Sequence, residues 1–352
     1  MTDQTKIEWT DYSVNFWEGC QKVGPGCDNC YAEARDNRFT DGKHWGSGAP
    51  RRKVKGGIAK LRKINRDAPA FFEKHGRWPR VFCSSLSDVF DNAIDLAWRK
   101  EAFEAIEAAT DTRVQMLTKR VGNVDKMIPE LWRQWNWPKH VGLMITVVNQ
   151  EEANRDIPRL LDLKKRHCIP WVGLSIEPML GPVDLLVTTH EGHDLSVLRG
   201  LGVDPTDPEG ADVFYRTPII DWVICGGESG PHARPMHPTW AKSLRDQCQS
   251  AGTAFLFKQW GEWQPYSEHD ETNGPALHDE PPIRHPDART RNRFDAICMD
   301  SDGTEYGLGE KGQFPKAPHG AFAGPHSMSM HRIGKKAAGR LLDGREWNEV
   351  PT

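Results

Sequence analysis

The stretch Cys20-Gln-Lys-Val-Gly-Pro-Gly-Cys27-Asp-Asn-Cys30-Tyr31 puts three thiols in one short segment near the N-terminus. Thiolates this close can hold a metal centre and leave one coordination position open. An iron-sulfur cluster ordinarily takes four thiolates. Held by three, a [4Fe-4S] cluster keeps one iron free for a small molecule bearing an amine and a carboxylate, as S-adenosylmethionine does. A structural zinc ion would need a fourth protein ligand to close its tetrahedron, and His44 and Cys83 are the nearest candidates. The spacing alone also admits three thiols without metal.

Other residue groups bear on binding. Gly226-Gly-Glu-Ser-Gly230 follows an apolar run; it is either a tight turn or a set of backbone amides that a carboxylate or ribose hydroxyl can approach closely. Glu177, before Pro178 at the end of another apolar run, is costly to bury without a ligand group or a nearby Arg. From Arg51 to Arg66, eight of sixteen residues are basic. Arg51, Arg52, Lys53, Lys55, Arg62 and Lys63 form a local field for polyanions, or else one solvated face. Trp132, Trp135 and Trp137, beside Arg133, either pack or stack on bases.

The elements that must position these groups are legible as short apolar runs: Ser13 to Trp17, then runs beginning at Arg80, Arg113, Val141, Pro170, Ile220 and Thr253. Near-continuous β-branched and apolar runs read as buried parallel strands. Helical stretches are expected over Ala93 to Thr110, Val124 to Gln134, Glu151 to Arg166 and Pro238 to Ser250. The alternation predicts an α/β fold with a parallel sheet of about six or seven strands, open or closed into a barrel. Loops after the carboxyl ends of such strands share one face, where active sites collect. The cysteines, Ser84 to Asp88, Thr118 to Arg120, Asn149 and Gln150, Glu177 and Gly226 to Gly230 all fall on that face. The strand-helix pattern occupies 1–265, with an inserted loop at 190–216. Residues 266–325 read as an irregular excursion, and 326–352 as a short helix and hairpin that dock back.

The totals set outer bounds. A chain of 352 residues buries a substantial core without disulfides. Eight cysteines and no apparent secretory signal point to a reducing cytoplasm, with thiols used as ligands or core residues. No apolar run of about 18 residues marks a membrane span. A net charge of -3 leaves nucleic-acid binding to local patches.

Ile7-Glu8-Trp9-Thr10, Gly19-Cys20, Pro25-Gly26-Cys27, Cys30-Tyr31-Ala32-Glu33, Ser85-Leu86-Ser87-Asp88, Leu117-Thr118-Lys119-Arg120, Ser175-Ile176-Glu177-Pro178, Gly226 to Pro231, Phe257-Lys258-Gln259-Trp260-Gly261 and Gly339 to Gly344 are ordered as in a known family. The chain resembles the phage-associated three-cysteine-motif family, of radical S-adenosylmethionine type and distantly like spore photoproduct lyase. The first cysteine gap is longer than the commonest radical-enzyme spacing, and Asn29 stands where an aromatic commonly precedes the third cysteine.

The resemblance implies a partial, open TIM-type barrel and a [4Fe-4S] cluster on Cys20, Cys27 and Cys30. It also implies S-adenosylmethionine on the fourth iron and reductive cleavage to a 5'-deoxyadenosyl radical that abstracts hydrogen from a substrate. By analogy with such barrels, Ser84, Ser85 and Asp88 border the amino-acid end of the cofactor. Asn149, Gln150 and Glu177 then meet its sulfonium or ribose, and Gly226, Gly227 and Glu228 its adenine. A nucleic acid or nucleotide is the expected substrate. A reductant such as flavodoxin or ferredoxin and a three-cysteine-motif partner protein are expected partners, with no membrane. Two rivals stand beside this reading: a zinc-stabilised nucleic-acid adaptor without catalysis, and a peptide-modifying radical enzyme that docks its partner through 266–325.

Overall fold

Strands Tyr12–Val14, Arg80–Cys83, Arg113–Thr118, Val141–Thr146, Val172–Ile176, Trp222–Gly226 and Ala254–Gln259 lie side by side in chain order. Every neighbouring pair is parallel, so the seven strands make an open half-barrel, a partial TIM-type α/β fold. This computed structural model describes residues 4–133, 135–188, 194–204, 213–265, 296–307 and 328–351.

Strand alternation sorts side chains between two cores. Val81, Cys83, Val114, Met116, Leu143, Ile145, Leu174, Ile176, Val223, Phe255 and Phe257 belong to the core packed beneath the helices. The intervening Phe82, Met144, Trp222, Ile224 and Leu256 form a separate cluster with Trp9, inside the barrel. Trp9 packs against Phe82 with ring centroids 4.6 Å apart, and Trp222 against Trp171 at 6.1 Å. Gly142 makes room for that floor, since a Cβ there would stand 1.9 Å from the Trp171 ring.

The outer layer is helical. Helix Leu96–Glu107 is capped by Asp95, whose Oδ1 accepts from Ala97 N and Trp98 N. Helices Gln150–His167 and Pro238–Ala251 match their expected positions closely. Helix Val121–Met127 starts earlier than the expected Val124 and is followed by the 3-10 turn Glu130–Trp132, because Pro129 cannot continue an α-helix. Two helices, Tyr31–Thr40 and Gly57–His75, were absent from the sequence reading. The second hides a Leu61, Ile64, Ala68 stripe among basic residues and a Pro69.

The segment expected as a loop at 190–216 instead carries strands. Leu186–Thr188, Asp194–Ser196, Leu201–Asp204 and Val213–Arg216 pair as an antiparallel four-stranded meander. Its strands are too short to announce themselves among Gly, Asp and Pro. Most of the excursion 266–325 lies outside the described residues. The part that is described, Ala296–Met299 and Glu305–Gly307, joins Trp263–Pro265 and Met328–Arg332 in a second antiparallel sheet. The last residues dock on the barrel: Trp222 Nε1 donates to Glu349 O at 2.9 Å, and Trp260 Nε1 to Leu341 O at 2.7 Å. Among the described residues no helix is long and apolar enough to cross a membrane.

Candidate active site at the carboxyl mouth of the barrel

The cysteine loop follows the first strand and is fastened at both sides of the mouth. On one side Arg120, just after the third strand, donates to Cys20 Sγ at 3.5 Å and to Gln21 O at 2.9 Å. Asp88 orients that guanidinium, with Oδ2 2.9 Å from Arg120 Nη1, and also accepts from Thr118 Oγ1 and Lys119 N. On the other side Asn29 Nδ2 donates to Glu228 Oε2 at 3.0 Å, and Arg234 Nη2 to Pro25 O at 2.9 Å. Arg234 also grips Glu228 at 2.7 Å. Burial would raise the Glu228 pKa, but hydrogen bonds from Arg234 and Asn29 hold it below the ordinary value.

Burial pushes the Cys20 thiol up to about 11, against the opposing field of Arg120. It raises the Cys30 thiol too, and a charge on Cys27 would add to that shift. Among the described residues no three His, Cys, Asp or Glu side chains stand together as metal ligands. In donor chemistry the loop nevertheless suits a thiolate-bound cluster: three sulfurs on one segment, one of them receiving a guanidinium N–H that favours negative charge on sulfur. A closed zinc site has less to draw on. His44 Nδ1 is 3.0 Å from Asp36 Oδ1, and Cys83 is fully buried in the core under the helices.

Polar side chains collect above the apolar floor. Lys119 Nζ donates to Thr146 Oγ1 at 3.2 Å. Glu177 Oε1 lies 2.9 Å from Lys258 Nζ. Burial works against the Lys258 charge, yet Glu177 outweighs it and raises the pKa above the ordinary lysine value. The partner anticipated for Glu177 is thus a lysine rather than an Arg. Gly226 lies close beside it: a Cβ there would come within 2.8 Å of Glu177 Oε1 and push the carboxylate from its place by Lys258. Ser84 Oγ and Glu8 Oε2 are buried and have no hydrogen-bond partner among the described residues.

The other residues singled out from sequence divide. Ser85 Oγ accepts from Asn15 Nδ2 at 3.0 Å, and its carbonyl accepts from Tyr31 OH. Asn149 caps its helix by accepting from Glu152 N at 2.9 Å, and Gln150 clasps Asp184 through both ends of its amide. Both amides are therefore engaged in local structure. Gly227 lies against the chain, where a Cβ would stand 1.9 Å from Trp260 O.

The basic stretch needs one correction. Arg51 is not on a surface: its side chain is 1% exposed, Nε sits 2.7 Å from Asp91 Oδ2, and Nη1 donates to His44 O, Gly46 O and Ala49 O. A charge this deep survives only with such partners, so Arg51 leaves the proposed polyanion patch. Arg52 pairs with Glu18, Lys53 with Glu101 and Lys63 with Asp67, while Lys55 and Arg62 are exposed. Trp132 and Trp137 pack edge to face at 5.3 Å in the core, and Trp135 is exposed.

Arg120 falls on the expected pocket face, though its contact with Cys20 was not foreseen, and sequence reasoning assigned no site role to Asn29, Arg234 or Lys258. Lys258 carried a usable signal, a lone charge directly after the apolar run Phe255 to Phe257. A cavity of about 400 Å³ beside the loop is lined by Gln21, Lys22, Glu33, Trp45, Gly46 and Ser47. A larger one, about 1050 Å³, opens at the opposite end of the barrel. The mouth remains the better candidate for chemistry, because the thiols and the buried ionic groups converge there.

No curated protein matches the chain. Among solved structures, spore photoproduct lyase complexed with dinucleoside spore photoproduct is similar at 13% identity and a TM-score of 0.40, over 73% of this chain and 79% of that one. A double mutant of spore photoproduct lyase with bound AdoMet and dinucleoside spore photoproduct is similar at 17% identity and a TM-score of 0.34, over 53% of this chain. The chain spans about half the length of that structure, 50%. A family model matches residues 4–351, almost the whole sequence, and the chain therefore belongs to the family described as Protein of unknown function (DUF5131).

Proposed function

We propose that the protein is a radical S-adenosylmethionine enzyme with its active site at the carboxyl mouth of the half-barrel. The observation that carries this reading is a three-thiol loop clasped over that mouth by Arg120 on one side and by Asn29 and Arg234 on the other. Cys20, Cys27 and Cys30 would hold a [4Fe-4S] cluster and leave one iron for S-adenosylmethionine. Bound there, the pair would supply one-electron reductive cleavage of S-adenosylmethionine, the electron coming from a flavodoxin- or ferredoxin-type reductant, and with it hydrogen-atom abstraction from the substrate.

The chain's own residues bind, orient and keep water out. Arg120, held by Asp88, favours the charged form of the Cys20 sulfur. Ser84 Oγ and Glu8 Oε2 are buried polar atoms free to meet a ligand's polar groups. Glu177 and Lys258 set a fixed charge pair on the wall. Beneath them Trp9, Phe82, Met144 and Trp222 close the lumen to water.

A nucleic acid or nucleotide is the substrate class that goes with this reading, supported by the exposed Lys55 and Arg62, beside which Arg52, Lys53 and Lys63 are already paired with carboxylates. Reconstitution with iron and sulfide under anaerobic conditions, followed by metal analysis, tests the centre. The expected protein is brown, carries about four irons per chain, loses them on Cys27→Ala and cleaves S-adenosylmethionine when reduced. A colourless protein retaining about one zinc would sink the reading and favour the non-catalytic adaptor. Trapping of radical products against DNA, RNA and nucleotides then tests the substrate class.

A further inference from the structure

The cavity of about 1050 Å³ lies where the strands begin, at the end of the barrel away from the cysteine loop. Its volume is just above the usual span for small-molecule sites, about 300–1,000 Å³. Arg77, Arg80, Arg113 and Lys139 line it, and among the described residues the acidic lining is Asp221 and Glu349. Both carboxylates are already engaged. Asp221 Oδ2 accepts from Lys164 Nζ at 2.6 Å and Val172 N at 2.7 Å. Glu349 accepts from Gln249 Nε2 at 3.0 Å and Phe255 N at 2.9 Å.

The cations are less well matched. Arg77 is held by both oxygens of Asp11, at 2.7 and 2.8 Å. Arg80 has only a 3.7 Å share of that same carboxylate, and its Nε is buried without a hydrogen-bond partner among the described residues. Among the described residues neither Arg113 nor Lys139 forms an ion pair, although both are exposed at the cavity. Flat aromatic surface adjoins these charges: Trp78 and Trp171 also line the space, each partly exposed. Trp171 is braced edge-on by Trp222.

We propose that this cavity binds a nucleoside phosphate, with the phosphate on Arg80, Arg113 and Lys139 and the base against Trp171 or Trp78. Guanidinium forks match phosphate oxygens in pairs, and indole faces stack on any base. An inorganic anion would use only the charges, and an uncharged nucleoside only the rings, so both halves are needed for tight binding. Trp171 and Trp222 belong to the floor between this cavity and the mouth, but Arg80, Arg113 and Lys139 touch no residue of the cysteine loop, so the site stands whether or not a cluster is held there.

Adenosine monophosphate, adenosine and inorganic phosphate, titrated separately into the full chain and followed by calorimetry, test the proposal. The monophosphate should bind at least tenfold tighter than either fragment. Arg113→Gln combined with Lys139→Gln should weaken it at least tenfold without moving the melting temperature, both side chains being exposed. Lys100→Gln combined with Lys126→Gln, exposed lysines that line neither this cavity nor the mouth, should leave it unchanged. A monophosphate bound no better than phosphate, or bound with parental affinity by the Arg113 and Lys139 variant, would overturn the proposal. If the double variant fails to fold, Lys139→Gln alone must still weaken binding at least threefold.

Discussion

Glu177 and Lys258 meet across the mouth of the half-barrel, Oε1 to Nζ at 2.9 Å, from the ends of two strands that do not touch each other. Their side chains are 13% and 19% exposed, so each charge depends on the other. Lys258→Met alone should cost about 3 kcal/mol, because it strands a buried carboxylate. Glu177→Gln in the same chain should recover much of that loss. Denaturant unfolding of the two singles and the double checks it, and strictly additive losses would show that the pair is not coupled.

Arg51 and Arg62 belong to one basic run yet should behave oppositely. Arg51→Ala leaves Asp91, fully buried, without its ion pair and should destabilise by about 3–5 kcal/mol. Arg62→Ala, on the exposed face of its helix, should stay within about 0.5 kcal/mol. Thermal unfolding of both variants decides the matter; equal effects would contradict the burial described for Arg51.

Gly227→Ala should be severely destabilising, since its Cβ would stand 1.9 Å from Trp260 O, a backbone atom that cannot swing away. A loss of about 2–3 kcal/mol is expected from such overpacking. Gly76→Ala makes the contrast: no atom lies within 4 Å of its Cβ, and its φ of +67° leaves only conformational strain. Comparing the two melting temperatures tests whether close approach at Gly227 outweighs backbone conformation.

Asp11 ties the first strand to the second through Arg77 and Arg80 N. Burial would raise its pKa, but the Arg77 hydrogen bonds win and lower it below the ordinary 3.8. A lowered carboxylate contributes stability in full above the unfolded value and loses it as pH falls through the folded value. Asp11→Asn should therefore cost on the order of 1 kcal/mol at pH 7, with the gap to the parent closing only below about pH 4. A difference independent of pH would assign the effect to hydrogen bonding alone.

Arg234→Ala should loosen the clasp on the far side of the cysteine loop, since it removes the bonds to Pro25 O and Glu228. Iron retained after anaerobic reconstitution should fall severalfold, while far-UV circular dichroism stays parental. Full iron content in the variant would mean that the clasp plays no part in holding the centre.

The seven parallel strands were legible in the chain because burial on both faces writes a continuous apolar run into local sequence; six runs occupy their expected places, and the first, expected over Ser13 to Trp17, is Tyr12–Val14, with Trp17–Glu18 pairing instead with Arg52–Lys53. The position of the cysteines after the first strand follows from the same order. What local pattern could not contain is the partner of each charge. Tertiary packing alone decided that Arg51 turns inward to Asp91, that Lys258 answers Glu177, and that Arg120 reaches Cys20. It also paired the short strands between Leu186 and Arg216, whose stability comes from neighbours rather than from their own residues. Periodicity is a property of adjacent residues, whereas a buried charge is satisfied by whatever the fold brings within about 3 Å of it, however distant in the chain.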